Sequence, residues 1–171
     1  MIVNIFGSSE RIEEMEAEDL KSRLKSCDLS IGVNSFFKYY NCDYGCFLDI
    51  SVLKRLVNNN LLYEKYISNL RFKGTLYNKK NIFYDVLPDS ILSSGYYAIK
   101  GAIKLGAKKI NLYGIMDGDY TKLANGDIKY YNCFKKGYNK ISSKNYKNFN
   151  HDIENNFYSD VIIERPLRRA K

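Results

Sequence analysis

Ser93-Ser94-Gly95-Tyr96-Tyr97-Ala98-Ile99-Lys100-Gly101-Ala102-Ile103-Lys104-Leu105-Gly106-Ala107-Lys108-Lys109-Ile110-Asn111-Leu112-Tyr113-Gly114-Ile115 reads as loop, helix, tight turn and buried strand in one run. Ser94 is placed to cap a helix that begins at Gly95 or Tyr96, its oxygen accepting from a first-turn N–H that has no partner within the helix. Ala98, Ile99, Ala102, Ile103 and Leu105 follow at the spacing of one helical face. Gly106 ends that helix with the positive-φ residue that commonly stops one. Ile110 to Ile115 is apolar enough for a strand inside a sheet, and Gly114 at its end lets whatever binds there approach the backbone. In open α/β sheets ligands sit beyond the carboxyl ends of the strands, and a helix N-terminus is a ready anion site. Ser93-Ser94-Gly95 and the segment from Gly114 to Asp119 are therefore expected to form two sides of one crevice. The same residues also serve as an ordinary cap and an ordinary turn.

The chain has 171 residues, enough for one domain with a real core and too few for two of ordinary size. We expect a single Rossmann-like α/β domain over residues 1–171, a mostly parallel sheet with helices on both faces. Apolar residues at 45% and charged ones at 27% place it among soluble globular proteins. No apolar run approaches the length of a membrane span, and Met1 to Gly7 lacks a basic region and cleavage site, so the expected location is cytoplasmic.

Lysine and arginine number 27 against 19 acids, and this net charge of +8 favours anionic partners. It does not choose between a nucleotide, a nucleic acid and a membrane surface. Nucleic acid is the weaker expectation, because the basic residues are spread along the chain, apart from Arg165, Arg168, Arg169 and Lys171. The four cysteines, Cys27, Cys42, Cys46 and Cys133, have no usual zinc spacing, and one histidine is too few to complete a site. They read as free structural thiols. We expect neither a metal nor a cofactor; a homo-oligomer is left open.

Working outward, Ile2 to Phe6 reads as a first strand, Gly7-Ser8-Ser9 as a turn, and Ile12 to Lys25 as a helix. The turn amides, with the Ser8 and Ser9 hydroxyls, are candidates for a phosphate or ribose, although no G-x-G-x-x-G is present. Asp28 to Asn34 reads as a second strand ending in an asparagine that offers both donor and acceptor. Tyr44 to Asp49 reads as a third strand, so Asn34 and Asp49 stand at one edge if both strands are parallel. A short helix follows through Leu53, Leu56 and Val57. Lys65 to Ser68 and Ile82 to Val86 have strand composition, with breaks at Gly74, at Asn78-Lys79-Lys80-Asn81 and at Pro88. Residues 118–150 are polar and tyrosine-rich, and read as a lid-like excursion more than as sheet. Val161-Ile162-Ile163 is the expected last strand.

With these pieces in place, the sequence resembles the bacterial sialyltransferases that decorate lipooligosaccharide. In that family a first strand leads into G-x-G-P-S-L, where this chain has Asn4-Ile5-Phe6-Gly7-Ser8-Ser9, matching at Gly7 and Ser9. A D-V-F-R-C-N-Q-F block is matched by Asp28 to Phe36, which carries Asn34. The family's T-S-G, G-[YA]-K-[EK]-I and G-[ID]-D elements are matched by Ser93-Ser94-Gly95, by Gly106-Ala107-Lys108-Lys109-Ile110 and by Gly114-Ile115-Met116-Asp117. The likeness covers most of residues 1–120.

The resemblance implies a nucleotide-sugar pocket lined by Gly7, Ser9, Asn34, Ser94 and Gly95, with Asp49 resembling by position a polar residue that faces the sugar, and a donor like CMP-sialic acid; Ser8, Gly114 and Asp117 are further candidate binding residues. It further implies that a histidine is the general base activating the acceptor hydroxyl, a role only His151 can fill, and that tyrosines hold the leaving phosphate without a metal. Tyr120, Tyr130 and Tyr131 are the candidates. Imidazole has the right pKa for such a base near neutral pH. The chain is shorter than those enzymes and lacks most of the region after the histidine, so the acceptor is unknown. Two alternatives stand beside transfer of a sugar to a hydroxyl. One is a non-catalytic binder of a nucleotide or nucleotide derivative. The other is a Mg²⁺-dependent pyrophosphate-transferring enzyme using Asp49, Asp117 and Asp119.

Overall fold

The computed structural model describes residues 1–59, 65–68, 82–84, 93–154 and 160–169, with the backbone alone at 82–84 and 152–154. Gly74, Asn78 to Asn81 and Pro88, read as breaks, lie outside the described residues.

Its centre is β1 (Ile2–Phe6), an apolar strand whose last four residues are buried. On one flank the chain adds β2 (Leu29–Val33), β3 (Tyr44–Cys46), β4 (Lys65–Ile67) and β5 (Ile82–Tyr84) in sequence order. It then returns to the other flank with β6 (Lys109–Tyr113) and β10 (Ile162–Glu164). All seven strands are parallel, in the order β10-β6-β1-β2-β3-β4-β5. The order reverses between β1 and β6, the kind of switch point where helices leave to opposite faces and a crevice opens at the carboxyl edge.

Strand alternation sorts the two faces. Val3 and Ile5 of β1, with Ile31, Val33, Ile110 and Leu112, pack against α5 (Ser94–Lys104) through Tyr97, Ala98, Ile99 and Ala102. Small residues on that helix let it lie close to the sheet: a Cβ added at Gly101 would meet Ile67 Cγ2 at 2.7 Å. Phe6 points the other way, into Ile12, Leu20, Phe36 and Tyr113, beneath α1 (Glu10–Glu14), α2 (Ala17–Lys25) and α3 (Phe36–Tyr39). On this second face Asn4 is buried and satisfied, giving Nδ2 to the Arg23 carbonyl and taking a 2.8 Å bond from Asn111 Nδ2. Phe47 and Tyr66 pack with Val52, Leu53 and Leu56 of α4 (Ile50–Asn58). Each large apolar side chain so buried contributes about 1.5–3 kcal/mol.

Three local readings change. The helix expected over Ile12 to Lys25 is two helices, because Ser9 caps early and Met15 is extended (φ −74°, ψ 138°), packing beside Leu20. The cap of α5 is Ser93, whose Oγ accepts from Tyr96 N at 3.3 Å, so Ser94 is the first helical residue. The stretch 118–150 is more regular than a polar excursion. It holds an antiparallel sheet of β7 (Tyr120–Lys122), β8 (Ile128–Asn132) and β9 (Gly137–Ile141), followed by α6 (Ser143–Glu154). The physical reason is that its tyrosines alternate across the pleat and the turn at Gly126 has φ 84°, features masked by a polar composition.

Candidate functional site

Parallel pairing aligns the carboxyl ends: Phe6 stands beside Gly32 and Tyr113, and Val33 beside Cys46. The turns after β1 and β6 are locked to each other. Gly7 N donates to Tyr113 O at 2.7 Å, and Ser8 N and Ser9 N both donate to Gly114 O, at 2.9 and 3.0 Å. A Cβ at Gly7 would stand 2.4 Å from Gly114 O, and one at Gly114 (φ +69°) would stand 2.3 Å from Ile12 Cγ1. The backbone that Gly114 admits is thus the chain's own. The three turn amides expected to face a phosphate instead hold the neighbouring turn.

Ser9 and Asp117 complete that lock. Ser9 Oγ accepts from Arg11 N, capping α1, and donates to Asp117 Oδ1 at 2.7 Å, while Gly114 N donates to Asp117 Oδ2 at 2.7 Å. Burial pushes the Asp117 carboxyl above its ordinary range, against the pull of Ser9, the Gly114 amide and the Arg11 guanidinium. Arg11 is itself buried, paired with Glu14 and Asp119.

A second group gathers at β2, β3 and the start of α5. Asn34 holds φ 53° and gives its amide to Cys46 O at 2.8 Å. Its Oδ1 is shut off from solvent with no donor among the described residues. Cys46 Sγ contacts Ser94 O at 3.4 Å, and a Cβ at Gly95 would meet Ile115 Cγ2 at 3.0 Å. The beginning of α5 therefore spans from β3 to the loop after β6. Its first two amides, at Ser94 and Gly95, find no acceptor among the described residues. Asp49 caps α4 by position without a side-chain bond and is exposed.

The antiparallel sheet covers this edge. Asn132 Nδ2 donates to Ser8 Oγ at 3.0 Å and Cys133 N to Ser8 O at 2.9 Å, fixing β8 to the turn after β1. Tyr120 and Tyr130 are cross-strand partners on one face. With Ser9, Glu10, Gly114, Met116, Gly118, Ile128 and Tyr146 they line a cavity of about 30 Å³. Burial raises the Tyr130 phenol, and the nearby Asp49 carboxylate adds to it. Tyr146 is pushed up to about 12 by burial and by its bond with Tyr120. Tyr131 faces the other way, its ring 5.6 Å from that of Tyr138, and packs toward the Phe6 cluster. His151 is exposed on α6, two residues beyond Phe149, whose ring lies 6.0 Å from Tyr96 of α5.

The structure thus brings Gly7, Ser8, Ser9, Asn34, Ser94, Gly95, Gly114, Asp117, Tyr120 and Tyr130 to one edge, and leaves Tyr131 on the far face. Glu10, Asn132 and Tyr146 join that edge without having been legible as site residues. Their only sequence signal is nearness to the Ser9 turn for Glu10, and strand alternation from Tyr130 for Asn132. Among the described residues no group of three or more His, Cys, Asp or Glu side chains is placed to hold a metal ion.

No protein-family model and no curated protein matches the sequence. Among solved structures, the chain is similar to the sialyltransferase CstII from Campylobacter jejuni in complex with the substrate analogue CMP-3FNeuAc, at 18% identity and TM-score 0.49 over 99% of this chain and 88% of that one. The same enzyme in complex with cytidine-5'-monophosphate matches at 18% identity and TM-score 0.49, covering 99% and 87%. In the match to the sialyltransferase CST-II with a trisaccharide acceptor and CMP, at 21% identity and TM-score 0.42, the chain covers 67% of itself and spans only 62% of that chain.

Proposed function

We propose that the chain is a glycosyltransferase-like protein that binds a nucleotide-activated sugar at the carboxyl edge of its sheet and transfers the sugar to a hydroxyl. The observation that carries this reading is Asn34 Oδ1, a buried acceptor with no donor among the described residues. Leaving such a group unmatched costs about 1–3 kcal/mol, which a base amino group or a ribose hydroxyl would recover by drawing the Asn34 side chain toward the crevice on binding. Beside it the first turn of α5, with the positive end of its dipole and the Ser94 and Gly95 amides, suits a phosphate. The motif resemblance around Ser93 to Asp117 favours a cytidine donor like CMP-sialic acid.

In this proposal Gly7, Ser8, Ser9, Gly114 and Asp117 build the floor, Asn34 and Asp49 face base and sugar, and Tyr120 and Tyr130 belong to the cover. His151 is the proposed base for the acceptor hydroxyl. Transfer would be direct displacement, accelerated by positioning and by the amides that meet charge growing on the leaving phosphate.

A thermal-shift titration with CMP and UMP tests the reading. At a hundredfold excess over Kd a ligand stabilises the folded state by about 2.7 kcal/mol, so CMP is expected to raise the melting temperature and Asn34→Ala to abolish the rise. A flat response to both nucleotides overturns it. The exposure of His151 favours one second reading, a binder without catalysis. His151→Ala separates the two, since an enzyme loses turnover and keeps affinity while a binder is indifferent. Pyrophosphate transfer gains no support, because Asp117 already accepts from Ser9 and Gly114, and Asp119 pairs with Arg11.

A further inference from the structure

Lys129 and Tyr131 of β8 stand opposite Lys140 and Tyr138 of β9, and alternation along both strands puts all four side chains on one face of the antiparallel sheet. It is the face turned away from Tyr120 and Tyr130. Lys129 Nζ lies 4.4 Å from the centre of the Tyr138 ring, which is 64% exposed and meets the Tyr131 ring edge-on at 5.6 Å. The surface continues past the turn between β8 and β9, because Tyr131 and Phe134 both pack on the Phe6 cluster. Phe134 stacks at 4.9 Å on Tyr39 of α3, which is 54% exposed and has Lys38 Nζ 5.4 Å from its ring centre. Lys135 and Lys136 are exposed in the turn itself.

Rings and ammonium groups therefore alternate along one strip, although Lys38 and Lys129 lie far apart in the sequence. Among the described residues Lys136 alone of these lysines has a carboxylate partner, Glu13. Lys135 reaches Asn139, and the nearby Asp127 carboxylate is taken by Ser143 N and Asn125 Nδ2. Like charges directly opposite each other on a sheet are destabilising, and Lys129 and Lys140 are such a pair. An anion between them removes that cost. The exposed apolar surface of the strip belongs to Tyr39 and Tyr138, with no exposed Leu, Ile, Val or Met among its described residues, so nothing is built to sink beneath the headgroups of a bilayer. Flat rings set between cations match the bases and phosphates of a single strand. We propose that this face binds single-stranded nucleic acid, its lysines meeting phosphates while Tyr39 and Tyr138 stack on bases. The strip points away from the carboxyl edge of the parallel sheet and does not rest on the nucleotide-sugar reading.

Fluorescence anisotropy with labelled oligouridylate and oligothymidylate of about twelve nucleotides tests this, with and without excess CMP. The expected result is saturable binding that CMP does not displace, the tighter of the two strands telling RNA from DNA. The logarithm of the binding constant is expected to fall with that of salt at a slope of about −2 to −3, as about three or four phosphate contacts on a single strand give. Tyr138→Ala, at an exposed position, should weaken binding about 5–100-fold and keep the slope, whereas Lys140→Ala should lower the slope by about 0.7. Should Tyr138→Ala fail to fold, Tyr39→Ala carries the comparison. No binding, equal affinity for inorganic polyphosphate, tighter binding to phosphatidylserine vesicles, displacement by CMP, or undiminished affinity in whichever tyrosine variant folds overturns the proposal. CMP binding followed separately by thermal shift keeps this outcome apart from that of the nucleotide-sugar reading.

Discussion

Asp117 shows how one side chain joins two loops and also makes the fold sensitive to pH. Its carboxyl is raised above the unfolded value of about 3.9 by burial, so the protonated form is the one folding favours. The stability it contributes is complete below the unfolded pKa and is lost as pH rises through the folded value. Asp117→Asn retains an acceptor for Gly114 N and can donate to Ser9 Oγ. It is expected to change stability by less than about 1 kcal/mol and to flatten this part of the pH dependence. Asp117→Ala leaves Ser9 and the Gly114 amide unmatched and should cost about 2–4 kcal/mol. Urea unfolding between pH 4 and neutrality distinguishes them; an unchanged pH slope in the Asn variant would contradict the assignment. Two glycines give a matched comparison. Gly114→Ala adds a clash with Ile12 to a positive φ, and should cost more than about 2 kcal/mol, whereas Gly106→Ala, at φ +96° with open space, should cost only about 1 kcal/mol. Equal melting temperatures for the two variants would show that the interlock at Gly114 is not tight.

Among the elements, the antiparallel sheet depends on a few polar bonds to its support. Asn132 is buried, reaches Ser8 through Nδ2, and accepts from Phe134 N and Lys135 N through Oδ1. Asn132→Ala is expected to cost about 1–3 kcal/mol and, more tellingly, to speed hydrogen exchange at the Cys133 amide and proteolysis within residues 118–142. Protection equal to the parent chain would mean the sheet is held otherwise. The central helix and β6 were readable because apolar spacing, a serine cap and Gly106 all agree over a single stretch. The cap shifted by one residue because Ser93 and Ser94 offer the same chemistry, and only the path of the backbone decides between them. The antiparallel strands were obscured because Ile128 and Asn132 are their only buried residues, and the exposed and half-buried tyrosines and lysines around them have a composition that also suits a loop. In the same way Asn34 was legible as a strand-end asparagine, while the orphaned Oδ1 that gives it meaning depends on its surroundings at β3.

At the scale of the whole molecule, the parallel sheet and its helices on both faces follow from strands alternating with helical patterns along the chain. The order of the strands does not follow so directly. That β6 returns to the free flank of β1 is set by the geometry of the connections and by side-chain partners such as Asn4 and Asn111, which no local window contains. The turns expected to present amides to a ligand instead bind each other, because Gly7 and Gly114 meet only once β1 and β6 are side by side. The same pairing has a temporal meaning. Since Ile5 stands opposite Leu112, β1 leaves the ribosome well before β6 and keeps one bare flank until β6 follows it. A nascent chain stalled midway would display that flank to its neighbours, and the pause before β6 emerges is when assistance from a chaperone would matter most.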